Sequence, residues 1–133
     1  MTDAAHPTAP SRPFDRVAIA AGIDTALVTA FVAIGRRNHD EDPGIAGLLG
    51  TAAPFLVGLV VGWLVARAWS APLTVRTGLV VWPTTVAVGM MIRRLVGDGT
   101  ALSFIIVAAA FTGFTLVGWR IIASLVSARR STA

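Results

Sequence analysis

Cysteine and lysine are missing from this chain of 133 residues, and charge of either sign is scarce. Without cysteine there is no disulfide, no thiol catalysis and no cysteine-held metal, and the redox compartment stays open. Every basic residue is arginine, which together with the wealth of alanine and valine reads as the imprint of a GC-rich genome rather than of chemistry. Charged residues make up 14% of the chain, against about 25% for a soluble domain that must cover its surface. The chain also lacks a nucleophile–base pair, a phosphate-cradling glycine loop, a haem-ligating histidine pair and a nucleotide motif. These absences argue against an enzyme and against a bound cofactor. The net charge of +4 would suggest nucleic acid in a soluble protein. Here the arginines punctuate apolar spans, so they read as topology signals and contacts to lipid headgroups, with no nucleic-acid partner.

What is present is long apolar sequence. Hydrophobic residues reach 55% and fall into four blocks, at about 17–35, 45–66, 77–95 and 101–126. Crossing roughly 30 Å of hydrocarbon needs about 20 helical residues, so each block can span. The third, whose clearly apolar part ends near Ile92, contains Pro83. Four core helices in water would each need a polar stripe, and runs such as LVGLVVGWLVA and LSFIIVAAAFTGFTLVGW have none. The expectation is an all-α, integral membrane four-helix bundle over 14–126. A proline-rich tail at 1–13, expected to be disordered, precedes it, and a short basic tail at 127–133 follows. The first block contains an aspartate and no small-x-small cleavage site, so it is expected to remain attached.

Four spans put both termini on one side. Arg12, Arg16, Arg67, Arg76, Arg120, Arg129 and Arg130 fall there, against Arg36, Arg37, Arg93 and Arg94 opposite. This asymmetry predicts an inner-membrane protein with cytoplasmic termini. Trp63, Trp69, Trp82 and Trp119 all fall near the arginine-rich side and predict an aromatic belt at that interface.

The second and fourth spans look alike. Ala52-Ala53-Pro54-Phe55 leads to Val61-Gly62-Trp63, and Ala108-Ala109-Ala110-Phe111 leads to Val117-Gly118-Trp119, each pair 56 positions apart (119 − 63). Arg36-Arg37 and Arg93-Arg94 end the first and third spans at an offset of 57 (93 − 36). Two similar helical hairpins, a parallel pseudo-repeat, account for this pattern, with coincidence as the alternative.

Asp24 lies about seven residues into the first span, roughly 10 Å by helical rise. An ionisable group at the membrane centre costs about 2.5–3.5 kcal/mol on insertion scales, so it should face protein. Thr25 and Thr29 are candidate hydrogen-bond donors, and Arg120 is the candidate ionic partner. Asp24, Thr25 and Arg120 thus form a candidate polar site: a proton or ion site or substrate pocket on one reading, interhelical glue on the other. On the opposite side Arg36, Arg37, His39, Arg93 and Arg94 form a candidate cluster for an anion or anionic headgroup. His39 with Asp40, Glu41 and Asp42 makes a weak metal motif, since one histidine without helical spacing is a poor ligand set, and no metal is expected. Gly50, Pro54, Gly58 and Gly62 make a stripe of small residues suited to helix packing. Pro54 and Pro83 are expected to loosen their helices.

Several of these motifs together resemble one family of small bacterial and archaeal proteins. They are Asp24, Phe31-Val32-Ala33-Ile34-Gly35-Arg36-Arg37-Asn38-His39, Ala53-Pro54-Phe55, Gly89-Met90-x-x-Arg93, Gly97-x-Gly99-Thr100-Ala101-x-Ser103-Phe104 and Gly118-Trp119-Arg120. The family is catalogued as domain of unknown function 3054, with actinobacterial members, and the resemblance covers roughly 14–125. It implies a four-helix inner-membrane protein of unassigned activity, and it draws attention to Asp24, Arg36, His39, Arg93 and Arg120 without giving them roles. Two functions follow as expectations. One is a small transporter- or channel-like module acting as a homo-oligomer, because four helices enclose little volume. The other is an accessory or assembly subunit of a larger membrane complex.

Overall fold

Long uninterrupted helices account for nearly all of the structure, a computed structural model that describes residues 12–38 and 44–133. They are α1 (Pro13–Asn38), α2 (Ile45–Ala66), α3 (Val75–Leu95) and α4 (Leu102–Ser131). A 3₁₀ turn, Ala68–Ser70, connects α2 to α3. The shortest helix, α3, has 21 residues. At about 1.5 Å per residue it measures ~31 Å, enough for a hydrocarbon layer of ~30 Å. All four helices are long and apolar enough to cross a membrane.

Two boundaries differ from expectation. Pro13, assigned by sequence to the tail, is instead the first residue of α1. Its ring pre-sets a helical φ, and the Asp15 carboxylate accepts the backbone N–H of Arg12 at 3.1 Å. The rest of the proline-rich tail, residues 1–11, lies outside the described residues. At the other end α4 runs on to Ser131, so most of the expected basic tail is helical. Arg129 and Arg130 occupy its last turn, where cations favour the negative end of the helix dipole.

Each helix packs on its sequence neighbours, and α1 also packs on α4, which closes the ring α1–α2–α3–α4. The pattern of burial is inverted relative to a water-soluble protein. Phe114 is 84% exposed, and Ile19, Val60, Leu64, Met91 and Ile122 also point outward, while Asp24, Thr85, Thr112 and Arg120 are buried. Only a solvent as apolar as lipid accommodates such an exterior. Two of the buried threonines serve their own helices: Thr85 donates to the Val81 carbonyl at 2.7 Å and Thr112 to that of Ala108 at 2.5 Å.

The α2–α3 seam is built on backbone proximity. A Cβ at Gly58 would lie 2.5 Å from the Thr85 carbonyl oxygen and 3.2 Å from the Gly89 nitrogen, and one at Gly62 would lie 3.0 Å from the Val81 carbonyl oxygen. Pro54 is buried on the same helix, and α2 continues through it without a break, as α3 does through Pro83. Gly50 does not belong to the stripe: it is exposed, and nothing lies within 4 Å of its Cβ position. Residues four apart on a helix advance about 40° around its axis, so Gly50 has turned ~80° from Gly58 and left the contact face.

At its C-terminal end α2 stops at Arg67, whose backbone is left-handed (φ 50°, ψ 49°) and whose N–H meets the carbonyls of Trp63 and Leu64. The reversal sends the chain through Pro72 to Thr74, which caps α3 by accepting the N–H of Thr77 at 3.3 Å.

Substituting these glycines tests the seam directly. Gly58→Ala is expected to lower stability by about 1–3 kcal/mol, because the obstructing atoms are backbone and cannot rotate away. Gly50→Ala should be neutral or slightly stabilising, since alanine is the better helix former by up to ~1 kcal/mol. Thermal unfolding in detergent micelles followed by circular dichroism separates the two.

Candidate functional site

The inward face of α1 carries Ala20, Asp24, Val28 and Phe31, all buried and spaced at helical periodicity. Asp24 lies 11 residues beyond Pro13 and Arg120 lies 11 before Ser131, so the two stand at matching depth, ~16 Å from those helix ends. Their side chains are completely shielded and meet in a bidentate pair, Nη2 to Oδ2 at 2.7 Å and Nη1 to Oδ1 at 2.9 Å.

Two indoles complete the carboxylate. Trp63 Nε1 donates to Oδ2 and Trp119 Nε1 to Oδ1, each at 2.9 Å. Asp24 therefore accepts four hydrogen bonds, which use its lone-pair positions. Arg120 spends two further donors on backbone, Nε on the Pro72 carbonyl at 3.0 Å and Nη1 on that of Leu116 at 2.9 Å. Its guanidinium carbon stands 4.5 Å from the centre of the Trp119 ring, in cation–π range. Gly78 leaves room for the arginine stem: a Cβ there would lie 2.9 Å from Arg120 Cδ. Among the described residues no buried side-chain nitrogen or oxygen lacks a partner.

The pairing of Asp24 with Arg120 is thus present, but Thr25 does not join it. Thr25 is exposed and its hydroxyl donates to the Ala21 carbonyl at 2.7 Å, while Thr29 bonds the Thr25 carbonyl at 2.8 Å. Adjacent helical residues point about 100° apart, so a threonine next to an inward aspartate faces away from it. The tryptophans also make inward polar contacts that an interfacial belt does not require. Trp82 donates inward to the Ala109 carbonyl at 2.8 Å, its ring laid across Gly113, and Trp63 and Trp119 belong to the buried network. Trp69, on the 3₁₀ turn, is the one that is about half exposed. Trp63, Trp119, Gly78 and Pro72 are the members sequence reasoning missed. A signal existed in the repeated Val-Gly-Trp, since a buried indole N–H needs an acceptor.

Beyond Asp24 the interior closes over aromatic rings. Phe31 lies 5.6 Å from Phe55, edge to face, and 5.5 Å from Phe111, with Phe104 also in contact. Past these rings, at the end opposite the termini, is a cleft of about 770 Å³. Arg36 and Arg93 line it together, whereas Arg37 and Arg94 are exposed and are not among its lining residues. Arg36 donates to Thr51 Oγ1 at 2.8 Å. Arg93 grips the Gly99 carbonyl through Nε and Nη2 at 3.2 and 3.1 Å, faces Asp98 at 3.8 Å, and stacks 4.8 Å from the Phe104 ring centre. His39 and the neighbouring acids lie outside the described residues; among the described residues no group of three or more metal-ligating side chains occurs.

An apolar exterior, four membrane-length helices and one shielded ion pair define a multi-pass helical membrane protein. The chain belongs to the family described as protein of unknown function (DUF3054), whose model matches residues 21–123. No curated protein and no solved structure matches it.

Removing one partner of the buried pair should be far more damaging than removing both. Asp24→Ala is expected to cost about 3–5 kcal/mol by leaving a buried guanidinium uncompensated, and Asp24→Ala with Arg120→Leu should recover much of that. Trp63→Phe, which deletes one hydrogen bond, should cost about 0.5–2 kcal/mol. Unfolding free energies in micelles of the wild type, Asp24→Ala, Arg120→Leu and their combination, arranged as a double-mutant cycle, provide the check, with Trp63→Phe measured beside them.

Proposed function

We propose that this protein is a non-conducting accessory subunit, packed within the inner membrane against a larger complex. The observation that carries this reading is the closure of its interior. Asp24 has its acceptor positions occupied by Arg120, Trp63 and Trp119, and Phe31, Phe55 and Phe111 fill the space beyond it. A transport site needs a polar group with spare hydrogen-bonding capacity and a wet route to it. Here the polar group is fully engaged and the route is aromatic. The transporter reading then requires a path between chains of an oligomer rather than through one chain.

The arginine asymmetry supports termini in the cytoplasm, which puts the Arg36–Arg93 cleft on the outer side. A duplicated hairpin is supported by equivalent contacts on α1. Trp63 and Trp119, 56 positions apart, take the two oxygens of Asp24, and Phe55 and Phe111, at the same offset, both meet Phe31.

Purification in native lipid, followed by identification of bound proteins and by flux assays on the reconstituted chain, tests the function. The expected result is a stoichiometric large partner and proton and anion fluxes no greater than in empty vesicles. A stable homo-oligomer whose flux disappears in Asp24→Asn would overturn it. Orientation is tested with cysteines placed in this cysteine-free chain. Gly99→Cys should react with an impermeant maleimide in intact cells, and Ser131→Cys only after permeabilisation; the opposite pattern reverses the topology.

A further inference from the structure

We propose that the cleft at the end opposite the termini is a binding site for an uncharged para-quinone dissolved in the membrane, its two carbonyls accepting hydrogen bonds from Arg93 and Ser103. Such a ligand needs two donors that the fold leaves unused, a site without a charge to match, and apolar walls for a flat ring. Arg93 supplies the first donor. Its Nε and Nη2 hold the Gly99 carbonyl, whereas Nη1 stands 3.8 Å from Asp98, beyond hydrogen-bond reach. The N–H groups of Nη1 therefore have no acceptor among the described residues. They are not sealed in, since no buried side-chain nitrogen among those residues lacks a partner, and Arg93 lines the cleft. Ser103 supplies the second donor. It is exposed, lines the same cleft and makes no side-chain hydrogen bond among the described residues.

The charge around Arg93 favours a neutral acceptor. Asp98 already balances its guanidinium at 3.8 Å. An anion at Nη1 would lie beside that carboxylate and meet its repulsion, whereas a carbonyl would not. Arg36, the other cation lining the cleft, is already engaged, with Thr51 Oγ1 among its partners, and the ligand does not need it.

The remaining wall suits a planar ring. Phe31, Val32, Phe104 and Val107 line it, with the Phe31 and Phe104 rings 6.1 Å apart and tilted by 45°. Flat unsaturated rings pack against such faces in offset or edge-on arrangements. The volume of about 770 Å³ falls within the roughly 300–1,000 Å³ usual for small-molecule sites. Val107 is exposed on the outer surface of α4, so the entrance faces lipid, the phase in which a quinone with an apolar tail resides. The occupant follows from this chemistry and does not depend on whether the protein also has a protein partner.

Photolabelling of the purified full chain in micelles with an azido-benzoquinone bearing a decyl tail, competed by decyl-benzoquinone, reads the site. Competable label is expected on peptides that contain Phe31, Phe104 or Val107. Ser103→Ala should weaken binding about three- to tenfold and Arg93→Gln about tenfold or more, the losses expected for a neutral and a charge-assisted hydrogen bond. Val107→Trp should obstruct the entrance, while Val60→Trp, the same bulk on the outward face of α2, should leave binding unchanged. Ser103 and Val107 start on the exterior, so their variants keep the test decisive even if Arg93→Gln fails to fold. Label spread over all the lipid-facing helices, or wild-type affinity in Ser103→Ala or Val107→Trp, would overturn the proposal. Competition by decyl phosphate as effective as by the quinone would overturn it in favour of an anion site. Equal competition by a short-chain diacylglycerol would overturn it in favour of a general site for ester carbonyls.

Discussion

A carboxylate and a guanidinium in the interior of a lipid-facing bundle constrain everything around them. Either charge alone at the membrane centre costs about 2.5–3.5 kcal/mol on insertion scales, and neither Asp24 nor Arg120 has water to turn to. The bidentate pair offsets part of that cost, and the rest depends on satisfying every remaining donor and acceptor. Trp63 comes from α2, Trp119 from α4 and the Pro72 carbonyl from the α2–α3 turn. The pair therefore fixes more than the α1–α4 seam. It sets the rotation of α2 about its axis, and it requires the chain reversal at Arg67 that brings Pro72 within reach. Gly78 on α3 is drawn in by the same requirement, since the arginine stem fills the space a side chain there would take.

The two sides of the bundle meet the shortage of hydrophobic driving force in lipid differently. Apolar side chains gain nothing by leaving lipid for protein, so helix association needs close packing or polar contacts. Along α2–α3 the solution is close packing: Gly58 and Gly62 lie against the backbone of Thr85 and Val81, and the ring of Phe55 fills the gap that Gly89 leaves. Along α1–α4 it is the ion pair at one level and the Phe31–Phe111 contact two turns further on. Val81 stands 57 positions after Asp24, the offset that relates the two arginine pairs, and it is fully buried. Where one seam carries a charge, the other carries a β-branched residue whose carbonyl approaches Gly62. One charged node suffices, because a second would double the desolvation cost without adding a new constraint on helix rotation.

Much of this was legible from residues that break an otherwise uniform background. An aspartate and an arginine inside apolar runs announce themselves, and their pairing follows from the cost of leaving either alone. The helices were legible for the same reason, as long blocks without a polar stripe. What could not be read was direction. Thr25 adjoins Asp24 in sequence yet projects ~100° away around the helix, and Gly50 drifts off the stripe that Pro54, Gly58 and Gly62 keep. The inward bonds of the tryptophans were not legible because an indole near a helix end serves equally as an interfacial anchor or as a donor to the interior, and composition does not separate these. Each arginine pair divides for the same rotational reason: Arg36 and Arg93 turn into the cleft, and Arg37 and Arg94 turn out.

Chain order adds a constraint on how such a network is made. Asp24 enters the membrane with the first helix, long before Arg120 is synthesised, so α1 must tolerate its charge alone for that interval. The neighbours Ile19, Ile23, Leu27, Val28 and Phe31 each return about 0.3–0.6 kcal/mol on insertion scales, together about 1.5–3 kcal/mol, which offsets much of the cost of a single aspartate. With the acid in the first helix and the base in the last, the ring closes only after all four helices are present.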